Sequence, residues 1–325
     1  MYMINNHFHN SDETVSNMYA YLIGIDYYFP NTIPDAPNYK SLGGCVQDIN
    51  HVEEFLKLKF GIPSKNIFKL SSTLSNNNND DNNNAGPLEA PEDWPTYENM
   101  VSQFDKIIEL TKKGDSVYIH YSGHGGRVPT NIPEKKGPKG LDETLVPMNI
   151  GKPGSRYIRD IEVATIIKRM VDKGLLVTLV LDSCHSGGLT RGRGGATVRG
   201  TSIVDRTTRP GDSFVATVEE LSNNWKILSE NSLSSSSQTR NIDYDASGWF
   251  PQSKGYVLLA ACRPSEFAYE YAFEENEKNG ALTYFLLKSF ANIDKNVTYR
   301  LIHDQIVAKI HSHFQKPHDH LLLQA

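Results

Sequence analysis

GLLVTLVLDSCHSGG, residues 174–188, is the stretch from which the fold can be read. Leu175 to Leu181 are all apolar or β-branched, the pattern of a strand buried on both faces of a mostly parallel sheet. Asp182, Ser183, Cys184, His185 and Ser186 end that strand, and two glycines then free the backbone to turn. A thiol is thereby presented where a core strand meets solvent, the edge at which open α/β sheets bind ligands. A cysteine that only packs needs neither polar neighbours nor paired glycines; a nucleophile needs an exposed sulfur with polar help.

Upstream, SVYIHYSGHGG (116–126) has the same construction, strand then glycine-flanked polar tip, and sets His124 at an edge analogous to that of Cys184. Further strands are expected from Met18 (MYAYLIGIDYY), in NIFKLSS (66–72), in LDETLVPMN (141–149) and in KGYVLLAACRP (254–264), with a last edge strand in QKPHDHLLLQA. Between them, apolar residues at three- and four-residue steps mark helices. These are SLGGCVQDINHVEEFLKLKFG, ended by Gly61; a helix capped by Thr96; RYIRDIEVATIIKRMVDK; ALTYFLLKSFAN; and TYRLIHDQIVAKIHSHF. Alternating strands and helices imply an α/β sandwich with a largely parallel sheet. Residues 1–17 read as a disordered leader and 75–95 as an Asn-rich surface loop. Residues 18–190 form a nucleophile-bearing part, 191–252 a flexible and cleavable connection holding a short helix near Val218, and 253–325 a smaller part.

Composition narrows the function. The chain has 325 residues, 38% hydrophobic and 22% charged, enough for a sizeable core, and a net charge of −5 that argues against nucleic-acid or anionic-membrane partners. Three cysteines, Cys45, Cys184 and Cys262, suit a reducing compartment rather than a disulfide framework, and no apolar run spans a bilayer, so a cytoplasmic protein is expected. RGRGG lacks the interleaved aromatics of an RNA-binding segment, and Gly123–Gly126 lacks the Gly-Lys-Ser/Thr of a phosphate loop. The histidines at 311, 313, 318 and 320 have no tetrahedral ligand spacing and read as solvated; Cys45 and Cys262 read as packing residues.

A histidine in HYSGHGG and a cysteine in DSCHSGG, sixty residues apart, approach the caspase spacing of about fifty. The nucleophile motif differs from the caspase Gln-Ala-Cys-x-Gly and resembles that of the metacaspases and their bacterial relatives, the orthocaspases. YLIGID, GCVQD, LDETLVP, AACRPSEFAYE and GALT extend the resemblance over residues 18–318. It implies a caspase-like three-layer α/β/α sandwich and a cysteine endopeptidase.

The chemistry agrees with that reading. Amide hydrolysis needs a nucleophile, a proton carrier and donors for the oxyanion. Cys184 supplies the thiolate and His124 the proton transfer; His185 is a rival base, but adjacent residues on extended backbone point to opposite sides. By the resemblance, the backbone N–H groups of Gly125 and Cys184 are the oxyanion donors. Asp48 and Asp182, with Ser122 beside them, are the acidic pocket for an Arg or Lys before the scissile bond. Taken alone, Asp48 would read as a first-turn helix acid. Many metacaspases need calcium, bound by aspartates in the loops after the catalytic pair. Here those loops carry Lys135, Lys136, Lys139, Arg191 and Arg193, so no cofactor and no calcium requirement is expected. Arg191, Arg193, Arg199, Arg206 and Arg209 are expected sites of self-cleavage in flexible chain. The competing expectation is a catalytically silent regulatory or interaction module.

Overall fold

Side chains alternate across a strand, so each central strand here feeds two cores. The computed structural model describes residues 16–32, 38–75, 86–184, 196–233, 249–250, 255–262, 267–274, 277–291, 298–314 and 322–324. In chain order the first half comprises β1 (Met18–Ile25), α1 (Cys45–Phe60), β2 (Ile67–Ser72), α2 (Tyr97–Leu110), β3 (Ser116–Ser122), β4 (Gly125–Pro129), α3 (Pro133–Lys136), β5 (Leu141–Leu145), β6 (Ile158–Arg159), α4 (Asp160–Asp172) and β7 (Leu176–Asp182). The second half comprises β8 (Thr197–Val198), β9 (Gly200–Val204), α5 (Val218–Leu233), β10 (Tyr256–Ala260), β11 (Tyr269–Glu274), β12 (Glu277–Gly280), α6 (Ala281–Phe290), α7 (Tyr299–Phe314) and β13 (Leu322–Gln324).

The main sheet runs β13-β10-β7-β3-β1-β2, parallel throughout except for the antiparallel edge strand β13. Tyr21, Ile23 and Ile25 of β1, Val117, Ile119 and Tyr121 of β3, and Val177, Leu179 and Leu181 of β7 point into a core with α2, α4 and α5. Their alternates Ala20 and Leu22 meet Ile49, Val52 and Leu56 of α1, and Val180 and Leu259 meet Leu282, Phe285 and Leu286 of α6 and Ile302, Ile306 and Ile310 of α7. The result is the expected three-layer α/β/α sandwich. Burying one such side chain stabilises by about 1.5–3 kcal/mol, which is why the apolar alternation fixes the strand register. Among the described residues, no helix is long and apolar enough to cross a membrane.

Two small sheets, which strand periodicity did not reveal, cover the carboxyl end of the main one. One runs β6-β5-β4-β9 and the other β12-β11-β8. Gly125 and Gly126, read as part of a tip, begin β4; the expected turn before Gly280 contains β12. The segment 191–252, read as flexible, contains β8, β9 and α5, whose Leu221 and Trp225 join the main core. The leader (1–15), 76–85 of the Asn-rich loop and residues 185–195 lie outside the described residues.

Candidate active site

Period-two alternation builds the site floor. Tyr118, His120 and Ser122 project from the α1/α6 face of β3, opposite to Val117, Ile119 and Tyr121, and Ser122 lies beside Asp182 in the parallel register. Asp48 meets them from the first turn of α1. Ser122 donates to Asp48 Oδ2 at 2.6 Å, so the three expected pocket residues are together and fully buried.

The N-terminus of α6 holds both acids. Asp48 accepts from the Gly280 N–H at 3.0 Å and the Asn279 amide at 3.0 Å; Asp182 Oδ2 accepts from the Thr283 N–H at 2.9 Å and its hydroxyl at 2.6 Å. Helix N-termini favour anions, and a carboxylate with several donors stays put. Gly280 has to be glycine, because a Cβ there would run into Asp182 Oδ2 and Arg199 Nη1. GALT is thus the pocket's far wall.

The pocket is filled by the chain's own Arg199, whose side chain is fully buried. Its Nη1 lies 2.8 Å from Asp48 Oδ2 and 3.1 Å from Asp182 Oδ1, and donates to Ser122 Oγ at 2.7 Å. Burial pushes Asp48 up to about 7, Arg199 pulling it down and Asp182 adding to the rise.

The backbone of Arg199 is held as firmly as its side chain. Its carbonyl oxygen accepts from the Cys184 N–H at 3.0 Å and the Gly125 N–H at 3.2 Å, the two expected oxyanion donors. Its N–H donates to the Ala268 carbonyl at 2.9 Å. Val198 pairs with Tyr269 of β11 and Gly200 with Gly125 of β4, so the chain crosses the site in extended form. A Cβ on Gly200 would collide with the Cys184 carbonyl oxygen, so only glycine can follow Arg199 in this seat.

Position and tautomer of His124 follow from its neighbours. It leaves β3 after Gly123, its N–H donates to the Tyr28 hydroxyl at 2.8 Å, and its ring packs on Tyr28 and Tyr39 with centroids 4.9 and 5.4 Å away. Nε2 stands 2.7 Å from the Lys40 carbonyl, which can only accept, so Nε2 carries the proton. Nδ1 is left with a lone pair and, among the described residues, no hydrogen-bond partner. Burial lowers the ring's pKa to about 4, against the pull of that carbonyl, so the imidazole is neutral at pH 7. Such a group can take a thiol proton.

Sequence reading missed several participants: the Lys40 carbonyl, Thr283, His120 and Glu270. The first is a backbone atom and leaves no sequence signal; GALT and AACRPSEFAYE were the only pointers to Thr283 and Glu270. Of the five arginines considered for self-cleavage, Arg191 and Arg193 lie outside the described residues and Arg206 is exposed. Arg209 is tied to Asp205 at 2.8 Å and stacked on Tyr157, so among the described residues Arg199 alone reaches the site. The rival base His185 also lies outside the described residues.

His120 closes a relay beneath the pocket. The Thr283 hydroxyl donates to Asp182, so it accepts from His120 Nε2 at 3.0 Å, while the Tyr118 hydroxyl donates to Nδ1 at 2.9 Å. Burial lowers this histidine to about 4, with Asp182 raising it and Arg199 lowering it. A depressed histidine contributes stability that is complete above its free value near 6.5 and lost as pH falls through 4. His120→Asn, which has no ring to protonate, should therefore close its stability gap to wild type by about 2–3 kcal/mol between pH 7 and 4.5. Urea midpoints at the two pH values read this; an equal gap at both would contradict the neutral assignment.

Comparison with known proteins comes to the same family from outside the structure. The profile described as "Metacaspase, peptidase C14 domain" matches residues 19–191. The chain is 31% identical over 170 residues to Metacaspase-8 of Arabidopsis thaliana and 31% identical over 169 residues to Metacaspase-1A of Aspergillus oryzae, each alignment covering 52% of this chain. Those alignments span only 37% and 34% of the two relatives' own length. A crystal structure of a Geobacter sulfurreducens protein shares the fold, with a TM-score of 0.55 and 18% identity, covering 95% of this chain and 92% of that one.

Proposed function

Because the chain belongs to the metacaspases, a family of cysteine-type peptidases, we propose that it is an endopeptidase cutting after arginine or lysine with Cys184 as nucleophile and His124 as proton carrier. The observation that carries the reading is Arg199, with its guanidinium among Asp48, Asp182 and Ser122 and its carbonyl on two converging N–H groups. A substrate would lie as residues 197–204 now lie, adding a strand to β11 before the cut and to β4 after it.

The same seat supports self-processing at Arg199–Gly200. His124 Nδ1 takes the Cys184 proton, the sulfur attacks the Arg199 carbonyl carbon, and the developing oxyanion is held by the Cys184 and Gly125 N–H groups. Nδ1 returns the proton to the Gly200 nitrogen as the C–N bond breaks. Water, deprotonated by the same ring, then releases Arg199 from the thioester.

No calcium requirement is proposed. Lys136, buried, stands 2.9 Å from Asp142 and 2.6 Å from Asp160 with its ammonium over the Trp225 ring, so these two acids already have an internal cation.

Purified protein should acquire a new N-terminus at Gly200 and turn over reporter peptides with Arg or Lys before the scissile bond, in chelator as well as in calcium. Turnover after Asp instead, or none without calcium, would overturn the pocket or the calcium assignment respectively.

A further inference from the structure

The Arg199 pocket contains one more acid than a point charge requires. Asp48, Asp182 and Ser122 all address Nη1, whereas Nη2 and Nε make no hydrogen bond among the described residues. On the other branch stands Glu270, with Oε2 at 3.8 Å from Nη2, an ion-pair distance. We infer that Glu270 is the third acid of the pocket and makes the site selective for arginine over lysine; the inference rests on Arg199 marking the place of a substrate residue.

Glu270 is placed by the backbone that a substrate pairs with. It lies on β11 directly opposite Thr197, and the Arg199 N–H bonds to Ala268 two residues before it, so strand addition itself sets where a guanidinium falls relative to this carboxylate. The side chain is buried and tethered: Oε2 accepts from the Gly43 N–H at 3.2 Å and Oε1 pairs with Lys278 at 3.4 Å. Lys278 gives Glu270 a counter-ion before substrate arrives.

A guanidinium spans both branches of this pocket, offering Nη1 to the two aspartates and Nη2 to Glu270. A lysine ends in a single ammonium about one bond short of that reach, with its donors radiating from one point. Bound here, it cannot stand at both branch positions; held at the aspartates it leaves Glu270 with only the 3.4 Å pair to Lys278, and the second ion pair that an arginine makes is lost. The discrimination is therefore built by the third acid, since the aspartates alone serve either cation.

The test uses matched quenched peptides, Thr-Val-Arg-Gly and Thr-Val-Lys-Gly, the sequence around residue 199 with arginine or lysine, on the full chain after self-processing. Wild type should favour arginine by about 30-fold or more in kcat/KM. Glu270→Gln should lose about tenfold on the arginine peptide, mainly in KM, and stay within threefold on the lysine peptide, whereas Asp48→Asn should weaken both. In the unprocessed chain, Arg199→Lys should slow self-cleavage by a similar factor. Equal wild-type turnover of the two peptides, or an unchanged ratio in Glu270→Gln, overturns the role of Glu270 while leaving the basic-specific peptidase intact. Cleavage of neither peptide by wild type overturns the parent reading and this one with it.

Discussion

Cys184→Ala should leave the chain whole and without turnover, a loss on the order of 10⁴-fold or more for a covalent nucleophile. The other thiols cannot stand in. Cys45 is buried at the head of α1 with its N–H on Asp26 at 2.7 Å, and burial pushes its thiol up, while Cys262 is buried with its Sγ 3.7 Å from the Ser183 carbonyl. The contacts described above that seat Arg199 come from the Asp48, Asp182 and Glu270 carboxylates, the Ser122 hydroxyl, the Ala268 carbonyl and the backbone N–H groups of Gly125 and Cys184, and none of these is made through the sulfur. The variant therefore keeps the 197–204 segment in the site, intact. Intact mass and reporter turnover check this together. A chain cut at Arg199–Gly200 at the wild-type rate would remove Cys184 from the mechanism.

Asp182→Ala should be the most damaging change in the pocket. It leaves Arg199 buried with one aspartate fewer and frees two donors on Thr283 that Asp182 now satisfies. Breaking a buried ion pair from one side costs about 3–5 kcal/mol, and an arginine peptide that finds one of the two acids facing Nη1 gone should lose at least a hundredfold in kcat/KM. A double-variant cycle separates the causes. With Arg199→Met already present, no buried cation is stranded, so the further cost of Asp182→Ala should fall to that of the Thr283 donors. Urea unfolding of the four proteins reads the coupling. Strict additivity would mean that Arg199 and Asp182 do not act on each other.

The residues legible in the sequence were those whose role is set by local pattern. The apolar run before Asp182 and the similar one before Ser122 mark two parallel strands, and with them the joint edge where Cys184 and His124 lie; the thiol expected to be exposed there is instead fully buried, with the Arg199 carbonyl on its backbone N–H. The helices α1, α2, α4, α6 and α7 coincide with the periodic segments, the Gly125 and Cys184 N–H groups converge on one carbonyl oxygen, and Asp48, Asp182 and Ser122 lie together. What was not legible depends on long-range closure. Nothing near Arg199 distinguishes it from its neighbouring arginines; its seat comes from residues 48, 122, 182 and 270, far away in the chain. Low complexity around it suggests mobility, while the glycine after it, which fits against the Cys184 carbonyl because it has no Cβ, carries no more local signal than any loop glycine. β4 escaped for the same reason, since five residues with a Gly-Gly start form a strand only because β5 and β9 flank them.

Residues 197 and 198 belong to one small sheet and 200 to 204 to the other, with the Arg199–Gly200 bond as the only covalent link between them at that point. On the self-processing proposed above, the segment of the uncut chain would act as a tethered competitor at an effective concentration in the millimolar range, which a peptide of micromolar affinity and micromolar supply would not displace. Cutting it leaves each new end anchored to a different sheet, and the two need not return together. The uncut chain would then behave as a timer rather than a switch: silent until its single first turnover, and without a path back, because rejoining the bond would require both ends to find the site in register at once.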